Sequence, residues 1–158
     1  MANVIFVAGY LGTGKSYFCR WILKKYPDFK LISPDDIKEK IWDKYGFDND
    51  EEKAALTDKS WQEFYSQVKT AMENNEDLLL DYPFSEKQRP RMKNFIEKFK
   101  YNALTIRLVG DFEVLYERQL ARDEDTTRHL GHMMTHITWA TFWKTDQKLM
   151  SWLTIKNF

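Results

Sequence analysis

The sequence predicts a three-layer α/β fold in which helices cover both faces of a parallel sheet of about five strands. Short apolar segments alternate along the chain with longer segments whose apolar residues recur at helical spacing. The first apolar segment, residues 4–8, is rich in β-branched residues and is followed by glycines. A continuously apolar run of this kind is typical of a strand that is buried on both faces.

The first two helices have clear boundaries in the sequence. Residues 15–26 carry apolar side chains at helical spacing, and Pro27 ends this helix. A short second strand is predicted at residues 31–32. Ser33 then has the character of a helix cap and Pro34 that of a first helical residue, since its missing N–H costs nothing there. This helix places Ile37, Ile41 and Tyr45 on one face, and Gly46 ends it.

The remaining elements continue the alternation. Asp111 is the predicted cap of the helix that follows the fourth strand. In order, the predicted elements are a helix over residues 51–74, a strand over 78–81, a helix over 86–98, a strand over 103–109, a helix over 112–122, an amphipathic helix near 135–150 and a short fifth strand at 152–155.

Composition limits the class of protein. The chain has 158 residues, enough for one domain spanning residues 1–158. Lys plus Arg equals Asp plus Glu, 24 each, so any site for a polyanion must be local. Cys19 is the single cysteine, which excludes an internal disulfide. With no signal-like N-terminus and no apolar run near 18 residues, we expect a cytoplasmic protein that does not bind membranes.

A phosphate-binding loop connects the first strand to the first helix. It matches the Walker A pattern at every position and reads Gly9-Tyr10-Leu11-Gly12-Thr13-Gly14-Lys15-Ser16. The glycines let backbone N–H groups point at phosphate oxygens, and the helix presents its N-terminus to the anion. Lys15 would contact the β- and γ-phosphates of ATP, and Ser16 would be a ligand of Mg²⁺.

Several classes of P-loop protein fit the rest of the chain poorly. A GTPase needs an Asn-Lys-x-Asp segment, which the sequence lacks. The Asp-x-x-Gly spacing of residues 43–46 falls at the end of a helix rather than after a strand. A ring ATPase would have a longer chain and a Glu beside the acid at the strand end, whereas Tyr82 and Pro83 follow Asp81. A kinase is the remaining interpretation.

Asp35 follows the second strand at the sheet edge where the phosphate loop opens. In open parallel sheets, ligands bind at the carboxyl ends of the strands. A carboxylate there could accept the proton of an attacking hydroxyl. The alternative is structural, because acids in the first turn of a helix are favoured by the helix dipole.

The loop and the Asp35-Asp36 pair together resemble the polynucleotide 5′-hydroxyl kinases and the related zeta-toxin-like kinases of the P-loop kinase superfamily. The resemblance covers about residues 3–125 and implies a P-loop kinase fold. It implies that Asp35 is the general base of the family's Asp-Asp-x-x-Arg segment, whose arginine is replaced by Lys38. It also implies that Asp81 is the strand-end acid that helps to orient substrate or metal-bound water, so Ser16 and Asp81 are the metal residues.

The resemblance further implies a lid over about residues 118–136. Arg118 and Arg122 match the family's Arg-x-x-x-Arg, with Arg118 against the adenine ring and Arg122 neutralising charge on the transferring phosphoryl group. Two solvated arginines paired with neighbouring acids are the alternative.

Two other clusters leave alternatives open. The basic residues after the third strand could hold an anionic acceptor or only solvate a helix start; they are Lys87, Arg89, Arg91 and Lys93. Residues 128–132 could contact phosphate or acceptor when the lid closes, or be a flexible loop. A zinc site at His129, His132 and His136 has no obvious carboxylate or cysteine partner.

The sequence thus predicts an ATP- and Mg²⁺-dependent kinase that phosphorylates a hydroxyl of a small molecule. A nucleic-acid 5′ end is the second acceptor class, disfavoured by zero net charge and by Lys38, which lacks the two-pronged donor geometry of arginine. An ATP-binding regulatory or toxin-like module with little turnover is the alternative from another class. The identity of the acceptor and the oligomeric state do not follow from the sequence.

Overall fold

The computed structural model describes residues 1–81 and 87–124, together with Thr127 and His129. The predicted helix near residues 135–150 and the predicted strand at 152–155 lie outside them. The elements are β1 (Asn3–Gly9), α1 (Lys15–Lys25), β2 (Lys30–Ile32), α2 (Pro34–Tyr45), α3 (Asp50–Glu73), β3 (Leu78–Asp81), α4 (Arg89–Phe99), β4 (Asn102–Leu108) and α5 (Phe112–Asp123).

Within the described residues the four strands form one sheet in the order β2-β3-β1-β4, and every pair is parallel. The predicted α/β class and parallel sheet are confirmed. The carboxyl ends of β1, β2 and β3 lie at one edge, where Val7 pairs with Asp81 and Ile32 with Leu80. The residues that follow these strands therefore meet at that edge.

The sheet separates two apolar cores because its central strands alternate their side chains between the two faces. Leu78 and Leu80 of β3 join the larger core, packed with α2, α3 and α4, whereas Leu79 joins the smaller core under α1. All three leucines are fully buried. Cys19 of α1 is fully buried in the smaller core, and burial raises the pKa of its thiol to about 12.

Side-chain caps start α2 and α5 where the sequence predicts them. The Ser33 hydroxyl accepts a hydrogen bond from the amide N–H of Asp36 at 3.4 Å. The Asp111 carboxylate accepts hydrogen bonds from the N–H groups of Glu113 and Val114 at 3.0 and 3.2 Å. Such caps satisfy amide groups that the first turn of a helix leaves unpaired.

One detail of the predicted helices is wrong. The fourth helix begins at Arg89 rather than at residue 86, because Pro90 cannot donate a backbone hydrogen bond and so fits only in a first turn. Tyr45, predicted on the same face of α2 as Ile37 and Ile41, is half exposed. It is the last residue of the helix, where the ammonium of Lys59 lies 3.7 Å from the ring centre.

Candidate active site

The loop between β1 and α1 requires glycine for two different physical reasons. Gly12 and Gly14 have φ angles of +83° and +86°, in the left-handed region that side chains disfavour. At Gly9 the constraint is space, because an added Cβ would lie 2.8 Å from the backbone oxygen of Leu108. The glycines thus set the curvature of the loop and its close approach to β4.

The carbonyl oxygen of Tyr10 holds the loop together. It accepts hydrogen bonds from the hydroxyl of Thr13 at 2.7 Å and from the backbone N–H of Thr13 at 3.3 Å. It also accepts a hydrogen bond from the ammonium of Lys15 at 3.0 Å. Burial lowers the pKa of Lys15, an effect that the nearby charges of Asp81 and Asp35 oppose. Lys15 is therefore a desolvated cation close to two acids.

Asp81 ends β3 beside the first turn of α1. Its residue is only 6% exposed, and its carboxylate accepts a hydrogen bond from the Ser16 side chain. Burial raises the pKa of Asp81, while the Ser16 hydrogen bond and the charge of Lys15 act in the opposite direction. A hydroxyl and a carboxylate oxygen side by side are the hard ligands that Mg²⁺ prefers, so these two residues fit a magnesium ion.

Asp35 lies in the first turn of α2, directly after β2. Its charge acts on both Lys15 and Asp81, so the structure brings it into the same electrostatic environment as the phosphate loop. The side chain is 45% exposed. Asp36 is exposed, and its backbone N–H is the group that Ser33 caps.

Lys38 makes a contact that was not predicted from the sequence. Its ammonium lies 3.0 Å from Oδ1 of Asp35, one turn earlier on α2. The i, i+3 spacing was the available signal, since residues three apart share a helix face.

Helix α5 brings its two arginines to the phosphate loop. Arg118 donates to the carbonyl oxygen of Gly12 at 3.3 Å. Arg122 is exposed, and its charge lowers the pKa of Lys15. Leu115 of the same helix is buried against Tyr10, so α5 and the loop share a small apolar core. The predicted contact of Arg118 with adenine stays a prediction.

Two of the four basic residues after β3 make contacts on the surface of α4. Arg91 is exposed but lies over the ring of Tyr65, 4.1 Å from its centre, and donates to Gln62 at 3.3 Å. Lys93 pairs with Glu97 on the surface of α4, at 3.7 Å. These contacts are those of a solvated helix surface. Lys87 is exposed and Arg89 half-buried.

His129 contacts α2. Its Nε2 lies 3.0 Å from Oδ1 of Asp43, and its ring lies 5.4 Å from that of Trp42. Among the residues that the structure describes, no group of three or more His, Cys, Asp or Glu side chains could hold a metal. His132, His136 and the other members of the predicted 128–132 contact fall outside the described residues.

A model of the AAA domain family matches residues 4–138, which include the phosphate loop, Asp35, Asp81 and both arginines of α5. A comparison with curated proteins finds no match.

Solved structures share the fold at low sequence identity. A candidate kinase from Chloroflexus aurantiacus has a TM-score of 0.72 at 23% identity, over 84% of this chain and 72% of that one. A chain of the Pnkp1/Rnl/Hen1 RNA repair complex has a TM-score of 0.72 at 16% identity, over 95% of this chain but 44% of that one. A gluconokinase from Sinorhizobium meliloti has a TM-score of 0.54 at 19% identity, over 92% of this chain and 74% of that one.

In the part of the chain that the structure covers, none of the helices combines the length and the apolar character needed to span a bilayer.

Proposed function

Because the chain belongs to the AAA domain family and has the fold of P-loop kinases, we propose that it is an ATP-dependent kinase that phosphorylates a hydroxyl group of a small molecule. One observation carries this proposal. The charge of Asp35 acts on both Lys15 and Asp81, although the three residues belong to different elements, α2, α1 and β3. A partly exposed carboxylate near the lysine of a phosphate-binding loop fits the need of hydroxyl phosphorylation for a base.

Each residue has a defined task in this reaction. The loop amides and Lys15 bind the β- and γ-phosphates. Asp35 accepts the proton of the acceptor hydroxyl, whose oxygen forms a bond to the γ-phosphorus as the bond to the β,γ-bridging oxygen breaks and ADP leaves. Arg122 offsets the negative charge of the transferring group, and Arg118 contacts the adenine ring.

Ser16 and Asp81 would hold Mg²⁺ in this reaction. When bound, the ion neutralises charge on the phosphate oxygens. The Ser16–Asp81 hydrogen bond keeps the two oxygen ligands next to each other.

A nucleic-acid 5′ end is the second candidate acceptor. The fold likeness to a chain of an RNA repair complex favours it. A formal net charge of zero favours the small molecule, because proteins that bind nucleic-acid backbones depend on cation–phosphate contacts.

The test is transfer of radiolabelled γ-phosphate to sugars, nucleosides and 5′-hydroxyl oligonucleotides, with parent protein and Lys15→Ala. We expect one acceptor class to be labelled by the parent protein. Lys15→Ala should abolish transfer and weaken ATP binding sharply, because backbone amides cannot replace a positive charge on the β,γ-oxygens.

Lys24→Ala is the matched control, since Lys24 is an exposed lysine of the same helix. It should behave as the parent protein does. A folded Lys15→Ala protein that transfers phosphate at the parental rate would exclude the kinase assignment. If only oligonucleotides were labelled, the acceptor would be a nucleic-acid 5′ end rather than a small molecule.

A further inference from the structure

Lys38 is a buried cation of α2, whose two other lysines, Lys40 and Lys44, are exposed. The residue is 9% exposed and its side chain 11%. A buried ammonium costs free energy unless a partner compensates it. Asp35 is one such partner, with Nζ and Oδ1 3.0 Å apart, and the ring of Trp61 on α3 lies 5.6 Å from Nζ.

The Asp35–Lys38 pair differs from two other lysine–acid pairs within helices of the described residues. In the Lys69–Glu73 and Lys93–Glu97 pairs both side chains are about half exposed or more, and the charges are 3.5 and 3.7 Å apart. Pairs of that kind contribute little to stability. In the Asp35–Lys38 pair only the acid faces solvent, at 45% exposure. The buried cation therefore holds one oxygen of a carboxylate whose remainder is accessible.

We infer that Lys38 is a positioning residue that orients the Asp35 carboxylate toward the acceptor hydroxyl. The inference rests on the proposed kinase function. Because the Lys38 ammonium is near both Asp35 and the Trp61 ring, the positions open to it are limited. The ammonium in turn limits the rotation of the Asp35 carboxylate. A general base must come within about 2.6–3.2 Å of the group whose proton it takes. A displacement of 1 Å can lower the rate by about 10²-fold, so orientation of this base matters for turnover.

A direct contact between Lys38 and an anionic group of the acceptor would have different kinetic consequences. A binding residue acts mainly on the KM of the acceptor and retains its effect when Asp35 is replaced. Replacing a residue that acts through Asp35 lowers kcat, and the replacement has no further effect once Asp35 cannot accept a proton. The two roles are separable by steady-state kinetics.

The first experiment compares Lys38→Met with Lys40→Met, a lysine exposed on the same helix. With the acceptor that the parent protein phosphorylates, we expect Lys38→Met to lower kcat by about 10²-fold. The KM for ATP and the melting temperature should stay within error of the parent values, because methionine fills a similar volume. Lys40→Met should leave every parameter unchanged, and Lys38→Arg should restore most of kcat because it restores a donor to Asp35.

The second experiment is a double-mutant cycle with Asp35→Asn. If Lys38 acts through Asp35, adding Lys38→Met to Asp35→Asn lowers the residual rate no further. Independent losses in the cycle, or a rise in acceptor KM at unchanged kcat, would overturn the inference and leave the kinase function standing. A parent protein that phosphorylates no acceptor would overturn both the proposed function and this inference.

Discussion

At the scale of single residues, the candidate site is electrostatically costly to the folded protein. Burial raises the pKa of Asp81 and lowers that of Lys15, so the fold disfavours the charged form of each. The Ser16 hydrogen bond to Asp81 and the attraction between the two charges offset part of this cost. Charged side chains that the fold itself does not favour are common at functional sites.

Asp81→Asn should therefore stabilise the protein when nucleotide and Mg²⁺ are absent. Because the folded-state pKa of Asp81 is raised, the cost of its ionisation is absent below the unfolded pKa, about 3.9. The cost grows as pH rises and is complete above the raised pKa. Thermal melting should show a higher Tm for Asp81→Asn at pH 7, by about 2–4 °C for each kcal/mol regained. The gain should shrink toward pH 4.

Asp58→Asn, on the exposed surface of α3, is the control and should change Tm little at either pH. A lower Tm for Asp81→Asn at pH 7 would mean that the hydrogen bond from Ser16 outweighs the cost of burial.

The adjacent acids of α2 should differ in function. Asp35 is close to the loop charges, whereas Asp36 is exposed in the capped first turn. Asp35→Asn should be stable but slower by about 10²–10⁴-fold, the usual effect of losing a general base. Asp36→Asn should remain active and lose at most about 1 kcal/mol of stability, because it removes the favourable interaction of a first-turn acid with the helix dipole. Turnover and melting of both variants decide the matter, and near-parental turnover of Asp35→Asn would make Asp81 the next candidate base.

At the scale of secondary-structure elements, the sequence predicted what local rules control. The caps of α2 and α5 and the bounds of β3 follow from residue types at fixed positions. The contact between Asp35 and Lys38 was harder to predict from the sequence. Their spacing allows the contact, but it is the burial of Lys38 beside Trp61 on α3 that explains it. The same holds for the donation from Arg118 to Gly12, which joins residues 106 positions apart.

Helix α5 should assign different tasks to its two arginines. Arg122 is exposed and acts on Lys15, so its charge should matter most as the phosphoryl group moves. Arg122→Ala should lower kcat far more than ATP affinity. Arg118→Ala, which removes a hydrogen bond to the loop, should act on ATP affinity. Titration with ATP and turnover at saturating ATP measure the two effects, and a loss confined to affinity in Arg122→Ala would assign it to ground-state binding.

At the scale of the whole molecule, the alternation of strands and helices was enough to predict the sheet. Parallel order brings the ends of β1, β2 and β3 together, which makes Asp35 a candidate partner of the loop, whereas Asp81 was predicted from the resemblance to the 5′-hydroxyl kinases. The acceptor could not be predicted in this way, since one fold serves many reactions and specificity depends on side chains from several elements.

The burial of Cys19 gives this molecule a built-in reporter of local opening. With a thiol pKa of about 12 and no exposed surface, the single cysteine should react with a maleimide only when α1 separates from the sheet. ATP binds the loop that precedes α1, so it should slow alkylation by a factor of about 1 + [ATP]/Kd if opening releases the nucleotide. Mass spectrometry follows the reaction. A labelling rate indifferent to ATP would show that α1 opens while the nucleotide remains bound.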